Sequence, residues 1–356
     1  MGADNPPPTG SAKIPPERRI RTYPATWYPL CPSRQVGRTP ATKSFLSRRL
    51  VAYRTATGRV VVMDARCSHM GSDLGRGKVV GDAIQCAFHG WEYGPDGRCI
   101  RIPAQATIPN FACQVSYPVV ERHGIVFVFN GREPLFPLPF FFGCDPKDLI
   151  HANSFTAVLD CPWYMIGANA VDLQHFRCTH DRRLAAEPVV DYPDPFAFRT
   201  TVKMSVAGRS ITDRLTRWFA GDEVTMEMTD WSGTLMLVQA TFRRTRSFGL
   251  LASLPLDANR TRAYVTIFVR RSRSRLRQTL YDPANVRIRR FFIKKFLSAD
   301  INRLAGTRYN SRTLIEIDGL MAKYFEWLAA LPNVSKGAQA AGSPASGSDS
   351  VDSQSY

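Results

Sequence analysis

Four residues with metal-binding side chains fall in two short pairs within CSHMGSDLGRGKVVGDAIQCAFHGW, residues 67–91: Cys67 with His69, then Cys86 with His89. Thiolate and imidazole both bind zinc and iron, so a closed tetrahedral zinc site would account for the residue types. Zinc-finger spacing, however, usually puts both cysteines in one pair and both histidines in the other. Here each pair contains one of each, which suits a 2Fe-2S centre with two cysteines on one iron and two histidines on the other. Such a centre moves single electrons, and imidazole in place of thiolate raises its potential. Glycines at 71, 75, 77, 81 and 90 permit the tight turns that such loops need.

The chain has six histidines, and a second pair stands in NAVDLQHFRCTH. Asp172 and His175 are three residues apart, so on a helix they share a face and the carboxylate could orient the ring. His180 lies five further on, about 500° of helical rotation, so it joins His175 on one metal only if the helix ends or loosens near residues 177–179. By itself this spacing fits two ordinary histidines beside a satisfied aspartate. Two imidazoles plus one carboxylate would instead form the facial triad of a non-haem Fe(II) site, with positions left open. In FIKKFLSADINRLAG, Asp300 sits at helical spacing from Phe296, Leu297 and Leu304, a carboxylate on an otherwise apolar face that needs a cation or hydrogen bonds. Asp282 in YDPAN, read as a turn, and Asp318 in IEIDG are the other candidates for a third ligand.

Gly90 and Trp91 directly follow the last ligand of the first cluster, and Asn169-x-x-Asp172-x-x-His175-x4-His180 lies on its C-terminal side. Over about residues 22–330 the chain resembles the Rieske non-haem iron oxygenases, terminal oxygenase components. The resemblance implies a 2Fe-2S cluster on Cys67, His69, Cys86 and His89, and mononuclear Fe(II) on His175, His180 and Asp300. It implies electrons from NAD(P)H through a ferredoxin or flavin-dependent reductase, O2 as co-substrate, and an aromatic or natural-product small molecule as substrate. Arylamine N-oxygenation, hydroxylation and demethylation are the reactions in view. Asp172 would bridge His175 to His89 of a neighbouring subunit, which implies a homotrimer. Asn169, about a turn and a half before His175, is placed to touch substrate or iron-bound water. Met165, Met226, Trp231, Met236 and Phe242 could contribute to an aromatic-compatible cavity, although large apolar residues on strands also make ordinary core. Two other classes stay open: a Rieske electron-transfer protein without oxygenase activity, and a zinc-stabilised basic binding protein.

The elements that must position these residues follow from the patterning. Between residues 22 and 135, short apolar runs such as RRLVAYR, GRVVVMD and GIVFVFNG alternate with Gly, Asp and Asn turns, predicting an all-β domain, which the resemblance implies is the Rieske domain. Residues 131–150 hold several prolines and suit a connector. A catalytic domain over 150–332 begins with a helix from about Pro162 to Phe176, continues through strand-like segments over 197–270, and returns to helical spacing over 284–330. The fold class is therefore α+β, with an antiparallel sheet packed on helices and a helix-grip arrangement implied by the resemblance. Tails over 1–21 and 335–356 are too polar or proline-rich to fold.

The 356 residues carry a formal charge of +17, a balance that first points to nucleic acid. The basic residues thicken at 270–295 without any nucleic-acid-binding motif, so nucleic acid is not expected and a solvated basic face, or a dock for an acidic ferredoxin, is. Eight scattered cysteines read mostly as free thiols. Neither a membrane span nor a secretory leader is indicated, which leaves the cytoplasm as the default.

Overall fold

Period-two alternation shows in Ala197–Val206, where the side chains of Phe198, Thr200, Val202 and Met204 are buried while Lys203 faces solvent. A computed structural model describes Pro15, residues 17–20 and residues 22–333. Of the expected N-terminal tail, residues 1–14, 16 and 21 lie outside the described residues, whereas Glu17–Ile20 form a helical turn, α1, with Ile20 buried. The C-terminal tail over 335–356 also lies outside them. Two compact units emerge. The smaller takes residues 36–43 and 49–117; the larger takes the described residues before 36, residues 44–48 and residues 118–333.

In the smaller unit, residues 50–54 pair antiparallel with Val60–Asp64. A second sheet runs Lys78–Val80, Ala83–Gln85, Glu92–Tyr93, Cys99–Arg101, each strand antiparallel to the last. Val51, Tyr53, Met63, Ile84 and Tyr93 fill its core, and Cys67 and Cys86 belong to the same buried cluster.

The larger unit is organised on a nine-stranded sheet among the described residues. Its centre is an antiparallel meander of Ala197–Val206, Glu223–Trp231, Leu235–Phe242, Arg246–Pro255 and Thr261–Arg270. Leu149–His151 and Phe155–Leu159 pair with its last strand, and Arg182–Leu184 and Val189–Asp194 with its first. Trp27–Pro32, Ile125–Phe129 and Val119–Arg122 form a separate three-stranded sheet. The proline-rich segment 131–150 lies inside this unit and is irregular up to a short turn at Pro146–Asp148.

Helix placement differs from the sequence reading at two points. The helix expected over 162–176 is split: α2 spans Tyr164–Val171 and α3 spans Leu173–His180. Asp172 has an extended backbone and caps α3, its Oδ1 accepting from the His175 amide at 3.0 Å. Asp172 therefore meets His175 through its backbone and not its ring. After α4, Ile211–Phe219, helix α5 runs from Arg275 to Arg303 and takes in YDPAN, so Asp282 is helical instead of lying in a turn. Its buried carboxylate accepts from Ser272 N at 2.9 Å and Ser272 Oγ at 2.6 Å, tying the chain before α5 onto the helix. Helix α6, Gly319–Ala330, packs Tyr324, Phe325 and Leu328 against Phe198 and Tyr164.

Candidate metal centres

The first cluster lies on two loops of the smaller unit that share one backbone design. The amide of Cys67 donates to Ser72 O and that of Gly71 to Cys67 O; the amide of Cys86 donates to Trp91 O and that of Gly90 to Cys86 O. Gly71 and Gly90 both have φ of 74°, the left-handed conformation that closes each loop. The thiols point inward, with Cys67 4% and Cys86 3% exposed, while His69 and His89 face solvent with ring centroids 4.7 Å apart. Trp91 stacks on His69 at 4.5 Å with the planes 3° apart, fixing that ring. Tyr93 Oη lies 3.0 Å from both Cys67 Sγ and Ser68 Oγ. Burial pushes the Cys67 thiol up, and the Tyr93 contact pulls it back toward the thiolate.

Zinc is tested by convergence. Among the described residues, the only three ligating atoms within 4.8 Å of one another are those of His175, His180 and Asp300. A single tetrahedral ion would need its donors roughly 3.3–3.8 Å apart. The Cys67, His69, Cys86 and His89 donors are spread more widely, with thiols at the inner end and imidazoles at the outer, which fits a group spanning two metal atoms.

The second cluster does converge. His175 Nε2 and His180 Nε2 are 3.1 Å apart, and Asp300 Oδ1 lies 3.0 Å from the first and 2.9 Å from the second. Helix α3 runs unbroken to His180, so the loosening expected at 177–179 is not needed: the two long side chains close the gap, their rings crossing at 84°. Asp300 Oδ1 is buried against both imidazoles. All three ligating atoms thus meet at a common point. Donors about 2.1 Å from an ion subtend right angles when about 3.0 Å apart and tetrahedral angles when about 3.4 Å apart. The three atoms are close enough together to serve one metal ion, as two histidines and a carboxylate do in non-haem Fe(II) sites. Burial opposes ionisation of Asp300, but the His175 and His180 rings outweigh it and hold the carboxyl below its ordinary range.

Around the triad, Asn169 Nδ2 lies 3.3 Å from His175 Nε2. Phe296, one turn before Asp300 on α5, stacks on His180 at 3.8 Å; its helical spacing from Asp300 was legible, its partner was not. Arg182 donates to the His180 carbonyl at 2.7 Å and pairs with Asp213 at 2.9 Å. Asp282 is engaged by Ser272, and Asp318 accepts from Gln174 Nε2 at 3.0 Å, so neither enters the triad. Met226, Met236 and Phe242 pack with Phe176, the residue after His175, in one apolar cluster. Met165 packs in two other clusters, and Trp231 lies against Phe136 and Phe142.

Residues 26–112 match the family model of the Rieske [2Fe-2S] domain. The chain contains a Rieske [2Fe-2S] domain, and its fold is that of the Rieske oxygenases. It is 34% identical over 198 residues to aminopyrrolnitrin oxygenase PrnD of Pseudomonas fluorescens, covering 52% of this chain and 53% of that one. It is 36% identical over 166 residues to cholesterol 7-desaturase nvd of Xenopus laevis, covering 44% and 36%. The fold superposes on dicamba monooxygenase bound to dicamba with a TM-score of 0.64 at 18% identity, covering 86% of this chain and 98% of that one. The chain spans between about a third and a half of the length of the first curated relatives it matches. No helix among the described residues is long and apolar enough to cross a membrane, and the described cysteines are free.

Proposed function

We propose that the chain is the terminal component of a Rieske non-haem iron oxygenase, oxidising an aromatic or natural-product small molecule with O2 and electrons drawn from NAD(P)H through a ferredoxin or reductase. One observation carries this reading: a chain with a Rieske [2Fe-2S] domain also brings His175, His180 and Asp300 to a common point. A pure electron carrier has no use for the second site, and the wide spread of the Cys67, His69, Cys86 and His89 donors does not suit the single zinc ion of a zinc-stabilised binder.

In this reading Cys67, His69, Cys86 and His89 hold the cluster, and His175, His180 and Asp300 hold Fe(II). When bound, the cluster supplies single electrons and the mononuclear iron supplies the site for dioxygen. The remaining work falls to the chain. Asp300 provides the fixed negative charge, Phe296 holds the His180 ring in one orientation, and the Asn169 amide stands at the open side of His175 Nε2 as a hydrogen-bonding group for substrate or water. Asp172, with Oδ1 engaged at the His175 amide, has its other oxygen for His89 of a neighbouring subunit in a homotrimer, as the resemblance implies. The basic stretch 270–295 is a dock for an acidic ferredoxin.

The test is spectroscopic and catalytic on one preparation. Purified protein should show a reducible Rieske electron paramagnetic resonance signal and a separate high-spin ferrous site. With a surrogate reductase it should consume O2 against a panel of aromatic amines, methoxyarenes and polycyclic natural products. Zinc in place of the Rieske signal, or a Rieske signal with no second iron, would overturn the reading.

A further inference from the structure

Cross-strand register in the nine-stranded sheet fixes which side chains share its helix-covered face. Met226 pairs with Ala240 and Met228 with Val238; Val238 pairs in turn with Gly249, and Met236 with Leu251. Directly opposed residues point the same way, so these positions form one patch. Ala170 of α2 and Phe176 of α3 pack on it, and Leu251 also packs with Ile301 of α5. Phe176 follows His175 and Ile301 follows Asp300, which sets the patch beside the triad.

The helices do not close on its middle. Helix α5 packs on Thr261–Arg270 at one side of the sheet order, and α3 runs directly into Arg182–Leu184 at the other. Between them Met226, Val238, Ala240, Gly249 and Leu251 are only half-buried, although they stand on central strands. At Gly249 a Cβ would find one atom within 4 Å, Cδ1 of its cross-strand neighbour Ile267 at 3.8 Å. The backbone there is not left-handed, so no turn demands a glycine. A glycine inside a strand weakens it and often marks the close approach of a ligand, and packed interiors leave few such spaces.

The walls of this space carry no free charge. Glu227, paired with Gln239, falls on the opposite face. Arg289 of α5 reaches the margin at Ser247, but its guanidinium is spent there: Nε donates to Asn285 Oδ1 at 2.9 Å, Nη1 to the Arg246 carbonyl at 3.1 Å and to Ser247 Oγ, and Nη2 to Thr245 Oγ1. The polar group on the triad side, Asn169, is a neutral amide. A carboxylate brought in without a partner would keep its full desolvation cost, whereas an apolar body gains by leaving water.

We infer that the space over Gly249 takes an uncharged, apolar ring compound, and that Gly249 determines specificity by setting how deeply the ring seats beside the triad. The inference rests on the oxygenase reading for the identity of the reacting centre and narrows its substrate class. Thioether and methyl walls with one amide are the usual construction of a site for such a body.

Equilibrium dialysis of the iron-loaded protein against 2-methoxynaphthalene and 2-naphthoate tests it. The ether should bind saturably, one per chain, and at least tenfold more tightly than the carboxylate. Gly249→Val suits a strand and has room for its methyl groups, so it should keep the wild-type melting temperature while weakening the ether at least tenfold. Ala240→Leu, on the same face, should do likewise and serves if Gly249→Val fails to fold. Gln239→Ala, on the opposite face, should bind as wild type. No saturable binding of the ether, equal or tighter binding of the carboxylate, or unchanged affinity in folded Gly249→Val or Ala240→Leu would overturn the inference. Binding is read without turnover or reductase, so its failure is distinct from failure of the metal centres, which their own spectra report.

Discussion

His180 lies flat on Phe296, ring centroids 3.8 Å apart and planes 13° from parallel, while its Nε2 approaches Asp300 Oδ1, one helical turn further along α5, at 2.9 Å. One helix thus supplies both the carboxylate of the triad and the surface that orients an imidazole toward it. Arg182, which donates to the His180 carbonyl, also lies 5.9 Å over the Phe296 ring. The histidine is therefore held at its backbone and on a ring face, with only the coordinating edge unconstrained.

Replacing Phe296 with Leu keeps an apolar side chain and removes the stack. Metal-site groups that orient a ligand are worth about 10–100-fold in affinity. The variant should lose mononuclear Fe(II) at least tenfold more readily to a chelator, with its Rieske spectrum unchanged. Equal chelator resistance in both proteins would show that the stack does not orient His180.

Asp300→Ala removes the charge at the triad. Iron content should fall from about three to about two per chain, since the two-iron cluster sits on other residues. Turnover should vanish and the Rieske signal persist. Retained iron stoichiometry and activity would sink the assignment of the third ligand.

Tyr93→Phe deletes the hydroxyl 3.0 Å from Cys67 Sγ. A hydrogen bond to a ligand sulfur favours the reduced, more negative cluster. A bond worth about 1 kcal/mol corresponds to roughly 40 mV for one electron, so the potential should drop by about that much. Protein-film voltammetry reads it directly, and an unchanged or higher potential refutes the contact's role.

Asp172 separates structure from relay. Ala should cost about 1 kcal/mol through loss of the α3 cap, whereas Asn keeps the acceptor and should preserve the melting temperature. Under the proposed bridging role, Asp172→Asn should still slow the oxidation of pre-reduced cluster in single turnover with substrate and O2. If Asn is wild-type in both measurements, Asp172 is a cap and nothing more.

Asp230 is buried beside Tyr324, whose hydroxyl donates to Oδ2 at 2.7 Å, and burial raises its carboxyl to about 7. In the unfolded chain it ionises near pH 4, so between pH 4 and 7 the native state binds the extra proton and stability falls as pH rises. Asp230→Asn should flatten this dependence by up to about 1.4 kcal/mol per pH unit. Urea unfolding at pH 5, 6 and 7 measures the slope; parallel slopes in the two proteins would contradict the assignment.

Residue type and local spacing carried much of this. Cys67, His69, Cys86 and His89 were legible as a candidate donor set because a cluster ligand must be a particular side chain on a tight loop, and both requirements are local. The strands over 197–270 were legible because alternation is local too. Asp300 could be ranked above Asp282 and Asp318 because a carboxylate on an apolar helical face asks for a partner. Other features were not local. Asp172 looks equally suited to orienting a ring or capping a helix, and only the chain's turn between α2 and α3 assigns Oδ1 to the His175 amide. YDPAN reads as a turn, yet the Ser272 contacts hold Asp282 within α5 despite Pro283.

The sequence by itself determined which side chains are candidate ligands at both centres and the sheet-and-helix class of the fold, since these depend on side-chain identity and on periods of two and 3.6. Tertiary structure alone decided that α5 brings Asp300 to α3 across more than a hundred residues and that Phe296 braces His180. Contacts between elements distant in sequence are fixed by how whole faces pack, and no local pattern encodes which faces will meet.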